Sequence, residues 1–296
     1  MCQYSEEYGD GSGTFGYYLT DLLEFDVVMP HDYNLVKNMS ARIFFGCSTF
    51  LTGGFTKENQ SIDGIMALGY LYPSIVSQLA TQLMIPNIFS HCLGRDGNGT
   101  LVLGEFDHND ADIVFTPLVP ASYRNSYYSL DLKSITVKGK SLPINPTVYN
   151  TPDVGGTIVD INNEVAEYGT PLDSNLDQMD RFPLVAFHFA DNATMVLKPQ
   201  DYILNYQPII DDVPTLCVGF HKTMVENLTI LGDLVLKDKI IVYDIDHHQL
   251  GWSSYYNCSA AIVNVSQTTS GLDNMQLMSF TISSYLLILL VILILI

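Results

Sequence analysis

Apolar positions in this chain recur mainly at every second residue, in short runs closed by Gly, Pro, Asn or Asp, and that pattern predicts strands. The longest clean example, Tyr128-Ser129-Leu130-Asp131-Leu132-Lys133-Ser134-Ile135-Thr136-Val137, turns at Lys138-Gly139-Lys140 and continues through Leu142-Pro143-Ile144. Nearer the N-terminus, Gln3-Tyr4 and Thr14-Phe15-Gly16-Tyr17-Tyr18 flank a glycine-rich turn and predict a β-hairpin. Leu19 to Val28 alternates loosely and reads as a strand, His31 to Asn38 is polar and reads as a loop, and Arg42 to Ser48 reads as a strand buried on both faces. Thr49 to Ser61 reads as an exposed loop. Ser74 to Leu83 departs from the alternation: Ile75, Leu79 and Leu83 fall on one helical face. Phe89 to Leu93 and Gly99 to Gly104 read as a strand pair, and Phe115 to Pro120 as the link between two lobes. Later apolar runs lie at Phe182–Phe187, Met195–Leu197, Leu216–Phe220, Ile230–Leu231, Ile240–Asp244 and Leu250–Trp252. Between Asp160 and Phe182 the segment is rich in Asn, Asp and Glu without periodicity, and reads as loop.

The stretch with the most chemical content is Gly155-Gly156-Thr157-Ile158-Val159-Asp160, followed by Ile161-Asn162-Asn163-Glu164. Two glycines free the backbone, a short β-branched strand follows, and a carboxylate stands at the strand's end before a polar loop. Asp160 is therefore the candidate catalytic residue. His91 lies between Ser90 and Cys92, but strand alternation turns it away from both neighbours and gives it a structural reading. His247-His248 sits in a turn where adjacent side chains diverge, with no further ligand nearby in sequence.

Charge and cysteine usage narrow the class. Thirteen Lys and Arg against 32 Asp and Glu give a net charge of −19 over 296 residues, which argues against nucleic acid or an anionic membrane surface as partner and suits an acidic milieu. The 47% apolar content suffices for a core. Cys2, Cys47, Cys92, Cys217 and Cys258 are widely spaced with no Cys-x-x-Cys, so no metal site is expected and scattered disulfide pairing fits better. Cys47 and Cys92 are the candidate pair. Sequons at Asn38, Asn59, Asn98, Asn192, Asn227, Asn257 and Asn264 point to the secretory route. Phe280 to Ile296 is a hydrophobic tail preceded by Thr269, Ser270, Gly271 and a spacer to Ser279, the arrangement of a GPI signal with Ser270 as the lipidation candidate; a tail anchor and a buried helix are the alternatives. Met1 to Glu6 holds no apolar signal-peptide core, so the chain reads as incomplete at its N-terminus.

Several of these motifs resemble the pepsin-like aspartic endopeptidases, in particular their plant, nepenthesin-like branch with a GPI-type tail. Glu7-Tyr8-Gly9-Asp10-Gly11-Ser12-Gly13-Thr14 resembles the flap of that branch, with Tyr8 at the flap tyrosine. Ile62-Asp63-Gly64-Ile65-Met66-Ala67-Leu68-Gly69 is similar to a family strand, Gly156 to Asp160 to the second active-site loop, and Ile230-Leu231-Gly232-Asp233 to a structural element at the base of the active-site sheet. The resemblance implies a mainly β, bilobal pepsin-like fold with an incomplete first lobe and a shortened second lobe. Its expected boundaries are a first-lobe remnant at 1–118, a second lobe at 119–260 with a deletion after Asp160, a polar spacer at 261–279 and a tail at 280–296. It implies a monomer that takes a peptide or protein substrate, with Tyr8, Gly9 and Asp10 touching it, no cofactor, and a membrane reached only through the tail or a GPI anchor. Cys217 pairs, in the family, with a cysteine from the stretch missing here, which leaves it a candidate free thiol.

Aspartic proteolysis needs two carboxylates sharing a proton, one activating water and the other donating to the scissile carbonyl. No Asp-Thr-Gly or Asp-Ser-Gly occurs in these residues, and Ile161-Asn162-Asn163 stand where the family has a small residue, Gly and hydroxyl side chains. The expectation is an aspartic endopeptidase relative that is inactive as this polypeptide; the alternative is a non-catalytic peptide- or protein-binding homologue.

Overall fold

A computed structural model of the chain describes residues 2–8, 11–29, 32–57, 64–70, 73–82, 84–95, 97, 99–104, 112–120, 127–149, 156–160, 170–172, 181–210, 213–220, 228–258 and 278–282. Contacts divide these into two compact units. One takes Met1–Asp110 with Val242–His247 and Asn257–Ile296, the other Ala111–Ile241 with His248–Tyr256.

In the first unit the alternating N-terminal runs become β1 (Gln3–Glu7), β2 (Gly13–Met29) and β3 (Asp32–Thr52), an antiparallel sheet in the order β1-β2-β3. The β2–β3 ladder slips by one residue between Phe15 and Gly16. A side chain at Gly16 would run into the carbonyl of Cys47, so only glycine lets the two backbones approach there. Helix α1 (Ile75–Thr81) starts at Ser74, whose Oγ accepts the Ser77 amide at 3.2 Å, the bond an N-cap serine supplies. It buries Ile75, Val76 and Leu79, and its Gln78 makes paired hydrogen bonds with the backbone of Phe44 on β3. Strands β4 (Ile88–Leu93) and β5 (Gly99–Leu103) pair antiparallel and are almost wholly buried.

The second unit contributes β6 (Ile113–Pro117), β7 (Tyr128–Leu130), β8 (Leu132–Val137), β9 (Lys140–Ser141), β10 (Gly156–Val159), β11 (Thr170–Leu172), β12 (Val185–Phe189) and β13 (Thr194–Leu197). After these come β14 (Ile203–Ile210), β15 (Val213–Val218), β16 (Leu228–Leu231) and the single turn α2 (Asp233–Leu236). Three sheets result, ordered β16-β10-β7, β11-β15-β14 and β13-β12-β8-β9. Strand β17 (Ile240–Asp244) turns into β18 (Gln249–Ser253), which pairs with β6. Trp252 on β18 is buried against Phe189, with ring centroids 5.2 Å apart, and donates from Nε1 to the Thr194 carbonyl at 3.4 Å. In the first unit Tyr243 of β17 stacks on Phe89 of β4 at 4.3 Å, and β19 (Met278–Ile282) pairs with β5.

The alternating runs and the one helix lie where the pattern puts them. Six local readings change, the first being that residues 49–52, read as the start of an exposed loop, continue β3. His31 to Asn38 is not a loop from Asp32 onward: the β2–β3 ladder runs to Met29 and Asp32, and ladder hydrogen bonds hold polar residues that lack a hydrophobic pattern. The Arg42–Ser48 run is only partly buried: Ile43 and Gly46 are buried, Phe44 and Phe45 half-buried, and Arg42 and Cys47 exposed. No strand forms over residues 64–69, although that segment resembles a family strand. Phe115 to Pro117, read as a lobe link, belongs to β6 because β18 offers it a partner edge. Inside the segment read as loop, Thr170–Leu172 forms β11 against β15.

The disulfide expectation is also corrected. Cys92 bonds to Cys258, with Cα atoms 5.3 Å apart, and Cys47 is an exposed free thiol. Cys47 stands opposite Tyr17 on the sheet face away from Tyr18, whereas Cys92 ends β4, where the segment after β18 reaches it. Cys217 is a buried free thiol and Cys2 an exposed one. Of the tail, Met278–Ile282 forms β19, and among the described residues no helix is long and apolar enough to cross a membrane. Ser270 and the remainder of the tail lie outside the described residues, as do Gly9, Asp10, Asn59, Asn98, Asn227 and Asn264. Asn38, Asn192 and Asn257 are exposed.

Candidate functional site

Gly156 enters β10 at φ +58°, a conformation that glycine adopts without a steric penalty. The four residues that follow the turn are fully buried because β10 is the central strand of its sheet, parallel to β16 on one side and antiparallel to β7 on the other. The parallel register sets Val159 beside Leu231. One residue on, the amide of Asp160 donates to the Leu231 carbonyl at 3.2 Å, the last bond of the ladder. Asp160 therefore leaves the sheet at the same end as Gly232-Asp233, and parallel strands guarantee that shared end.

Asp233 follows the extended Gly232 and opens α2. Its Oδ1 is buried without a hydrogen-bond partner. Burial pushes its carboxyl up to about 6; the Lys237 ammonium one turn on pulls it down, and the Asp160 charge pushes it up again. Thr157 on β10 and Ser129 on β7 bury hydroxyl oxygens that likewise make no hydrogen bond. The site thus combines a part-buried Asp160 at a strand end with a second carboxyl whose burial favours its protonated form.

Tyr8 lies at the end of β1 in the first unit. Its amide donates to Ser12 O at 2.8 Å, and its carbonyl accepts from Gly11 at 2.9 Å, which closes the hairpin turn. The ring meets Phe55 edge-on at 5.2 Å, and burial, helped by Glu6 and Tyr4, pushes the phenol up to about 12. His91 is a core residue: its Nε2 is 3.2 Å from the Tyr243 hydroxyl and burial pulls the imidazole down to about 3. His247 in the β17–β18 turn faces Asp244, with Nδ1 at 2.8 Å from Oδ2. Among the described residues no group of three or more His, Cys, Asp and Glu could hold a metal ion.

Sequence reasoning placed Asp160 and assigned Asp233 to the framework only. A signal for the second carboxyl was present: Leu231-Gly232-Asp233 repeats the syntax of Val159-Asp160, an apolar strand that delivers an acid at its end. Parallel pairing of the two strands was the missing step.

Family models of the xylanase inhibitor N-terminal and C-terminal regions match residues 1–105 and 168–254. The chain is 29% identical to aspartic proteinase 36 of Arabidopsis thaliana over 88% of its own length and 58% of that protein. It is 32% identical to aspartic proteinase nepenthesin-2 of Nepenthes gracilis over 54% of its length and 34% of that protein. It thus spans little more than half the length of the first of these relatives. The crystal structure of conglutin gamma, a basic 7S globulin from lupine seeds, superimposes with a TM-score of 0.67 at 15% identity, covering 91% of this chain and 77% of that one.

Proposed function

Given that the chain belongs to the pepsin-like aspartic proteinase family of plants, we propose that it derives from an aspartic-type endopeptidase in which Asp160 is the second lobe's catalytic carboxylate, and that these 296 residues alone do not hydrolyse peptides. The placement of Asp160 at the end of the buried β10 carries this reading, since that strand end presents the acid as the chemistry requires. The non-catalytic part rests on the requirement for two loop aspartates. The 296 residues contain no Asp-Thr-Gly or Asp-Ser-Gly, and Ile161 brings bulk to the residue after Asp160. The decisive experiment compares the purified chain with D160N on fluorogenic peptides between about pH 3 and 6. Indistinguishable rates support the proposal, whereas a pepstatin-sensitive rate that D160N abolishes overturns it.

A second reading is a peptide- or protein-binding homologue. It draws on the name of the matched family models, that of an inhibitor, which acts by engaging another protein. Peptide affinity that survives D160N favours it. The sequons and the Cys92–Cys258 bond support passage through the secretory route, and the apolar C-terminal run supports attachment through the tail or a GPI anchor. Glycosidase-sensitive mass and phospholipase release from intact cells test those two points.

A further inference from the structure

Asp233 belongs to no part of the proposed chemistry, yet among the described residues it is the acid that shares a strand end with Asp160. The register fixes this closeness: Val159 pairs with Leu231, and the Asp160 amide is bound to the Leu231 carbonyl at 3.2 Å. The backbone of Asp233 is held at the start of α2, where its carbonyl accepts the Lys237 amide at 2.9 Å. One of its carboxyl oxygens is enclosed and finds no donor. An enclosed carboxylate oxygen without a donor is costly, whereas a carboxylic acid is tolerated there.

We propose that Asp233, enclosed at the strand end it shares with Asp160, makes the β10–β16 junction a pH-sensitive joint, firm in acid and loosened near neutrality. At low pH Asp233 is a neutral acid beside Asp160. As the pH rises it releases its proton to solvent, and two acids are left at one strand end with the Lys237 ammonium acting on Asp233. Among the described residues, the strands packed beside β10 add little charge. β16 holds only Leu228, Thr229, Ile230 and Leu231, and β7 adds one ionisable group, the phenol of Tyr128. The upward push on Asp233 by burial and by Asp160 agrees with this geometry. An acid whose affinity for protons is raised by folding gives stability that is present below its unfolded value and lost as pH rises through the folded value. The window therefore runs from about pH 4 to somewhat above pH 6.

The inference does not depend on peptidase activity, so a negative hydrolysis assay leaves it intact. Its test is a carbon-13 carboxyl titration of the 296-residue chain, with the Asp233 resonance assigned by comparison with D233N. A midpoint near pH 6 that falls in D160N is the expected result. A midpoint near 4, or one unmoved by D160N, overturns the proposal. Thermal unfolding of the parent and D233N gives a second reading: D233N gains several degrees over the parent at pH 7 and nothing at pH 4. Parallel pH profiles for the two proteins also overturn it.

Discussion

Cys92 and Cys258 are bonded to each other across a sequence separation of 166 residues, so one crosslink ties the end of β4 to the segment that follows β18. A crosslink closing so long a loop restricts the unfolded chain strongly, and chain-entropy reasoning puts its contribution at about 3–5 kcal/mol. C92S or C258S should lower the melting temperature by about ten degrees or more. Thiol titration offers an independent check. The denatured, unreduced chain should yield three thiols, with Cys2 and Cys47 reacting fast in the native state and Cys217 only on unfolding. A peptide map showing Cys47 joined to Cys92 contradicts the assignment.

His91 gives the fold a second pH dependence, opposite in sign to that of Asp233. The unfolded imidazole takes a proton near 6.5 and the buried one only near 3, because burial penalises its charged form. Between those values the unfolded chain binds more protons, so stability falls as pH falls, by about 5 kcal/mol in the limit. H91F removes the titration and the Tyr243 hydrogen bond together. At pH 7 it should cost about 1 kcal/mol for the lost bond. Its denaturation midpoint should then decline less steeply than the parent's from pH 6.5 toward 4, and an identical decline excludes the assigned role.

Gln78 acts as a one-residue strand. Its Oε1 accepts the Phe44 amide at 2.7 Å, while Nε2 donates to the Phe44 carbonyl at 3.0 Å and to the Pro73 carbonyl at 2.9 Å. Both backbone groups of Phe44 on β3 are satisfied by a helix side chain, which protects that edge from pairing with another chain. Q78L fills a similar volume but leaves these backbone groups unpaired, and should cost about 2–4 kcal/mol. Hydrogen exchange at the Phe44 amide should accelerate more than at its neighbours. Unchanged protection there would show that the ladder does not need Gln78.

How far the sequence reaches can be judged from particular residues. Tyr128, Leu130 and Leu132 declare strands through alternation, and Ser74 with Ile75 and Leu79 declares a capped helix, because each signal is local. The strand that ends at Asp160 was equally legible, since glycines, β-branched residues and an acid follow one another along six positions. What a local reading misses is partnership. Thr170–Leu172 is a strand only because β15 lies beside it, and Asp32 to Asn38 only because β2 does. Asp233 gains its significance from a parallel partner more than 70 residues away along the chain. Cysteine pairing fails in the same way, because Cys47, Cys92 and Cys258 are chemically identical until the fold brings two of them within reach.

Lys239 and Asp201 form a nearly fully buried pair in the second unit, with side chains 2% and 6% exposed and Nζ to Oδ2 at 3.8 Å. Neither group depends on the other alone. Lys239 also donates to the Lys237 carbonyl at 3.4 Å, and Asp201 accepts the Lys198 amide at 2.8 Å, which fixes the turn before β14. Removing one charge strands the other in the interior, a loss of about 3–5 kcal/mol, whereas removing both spares that penalty. K239M should therefore be strongly destabilised. D201N keeps an oxygen for the Lys198 amide but removes the negative charge beside the Lys239 ammonium, and should be destabilised too. The K239M/D201N double variant should recover part of the loss, and a coupling of about 1–3 kcal/mol in a denaturant-based cycle is the expected value. Strict additivity would mean that the two charges are held by their other contacts and that their mutual attraction adds nothing to the fold.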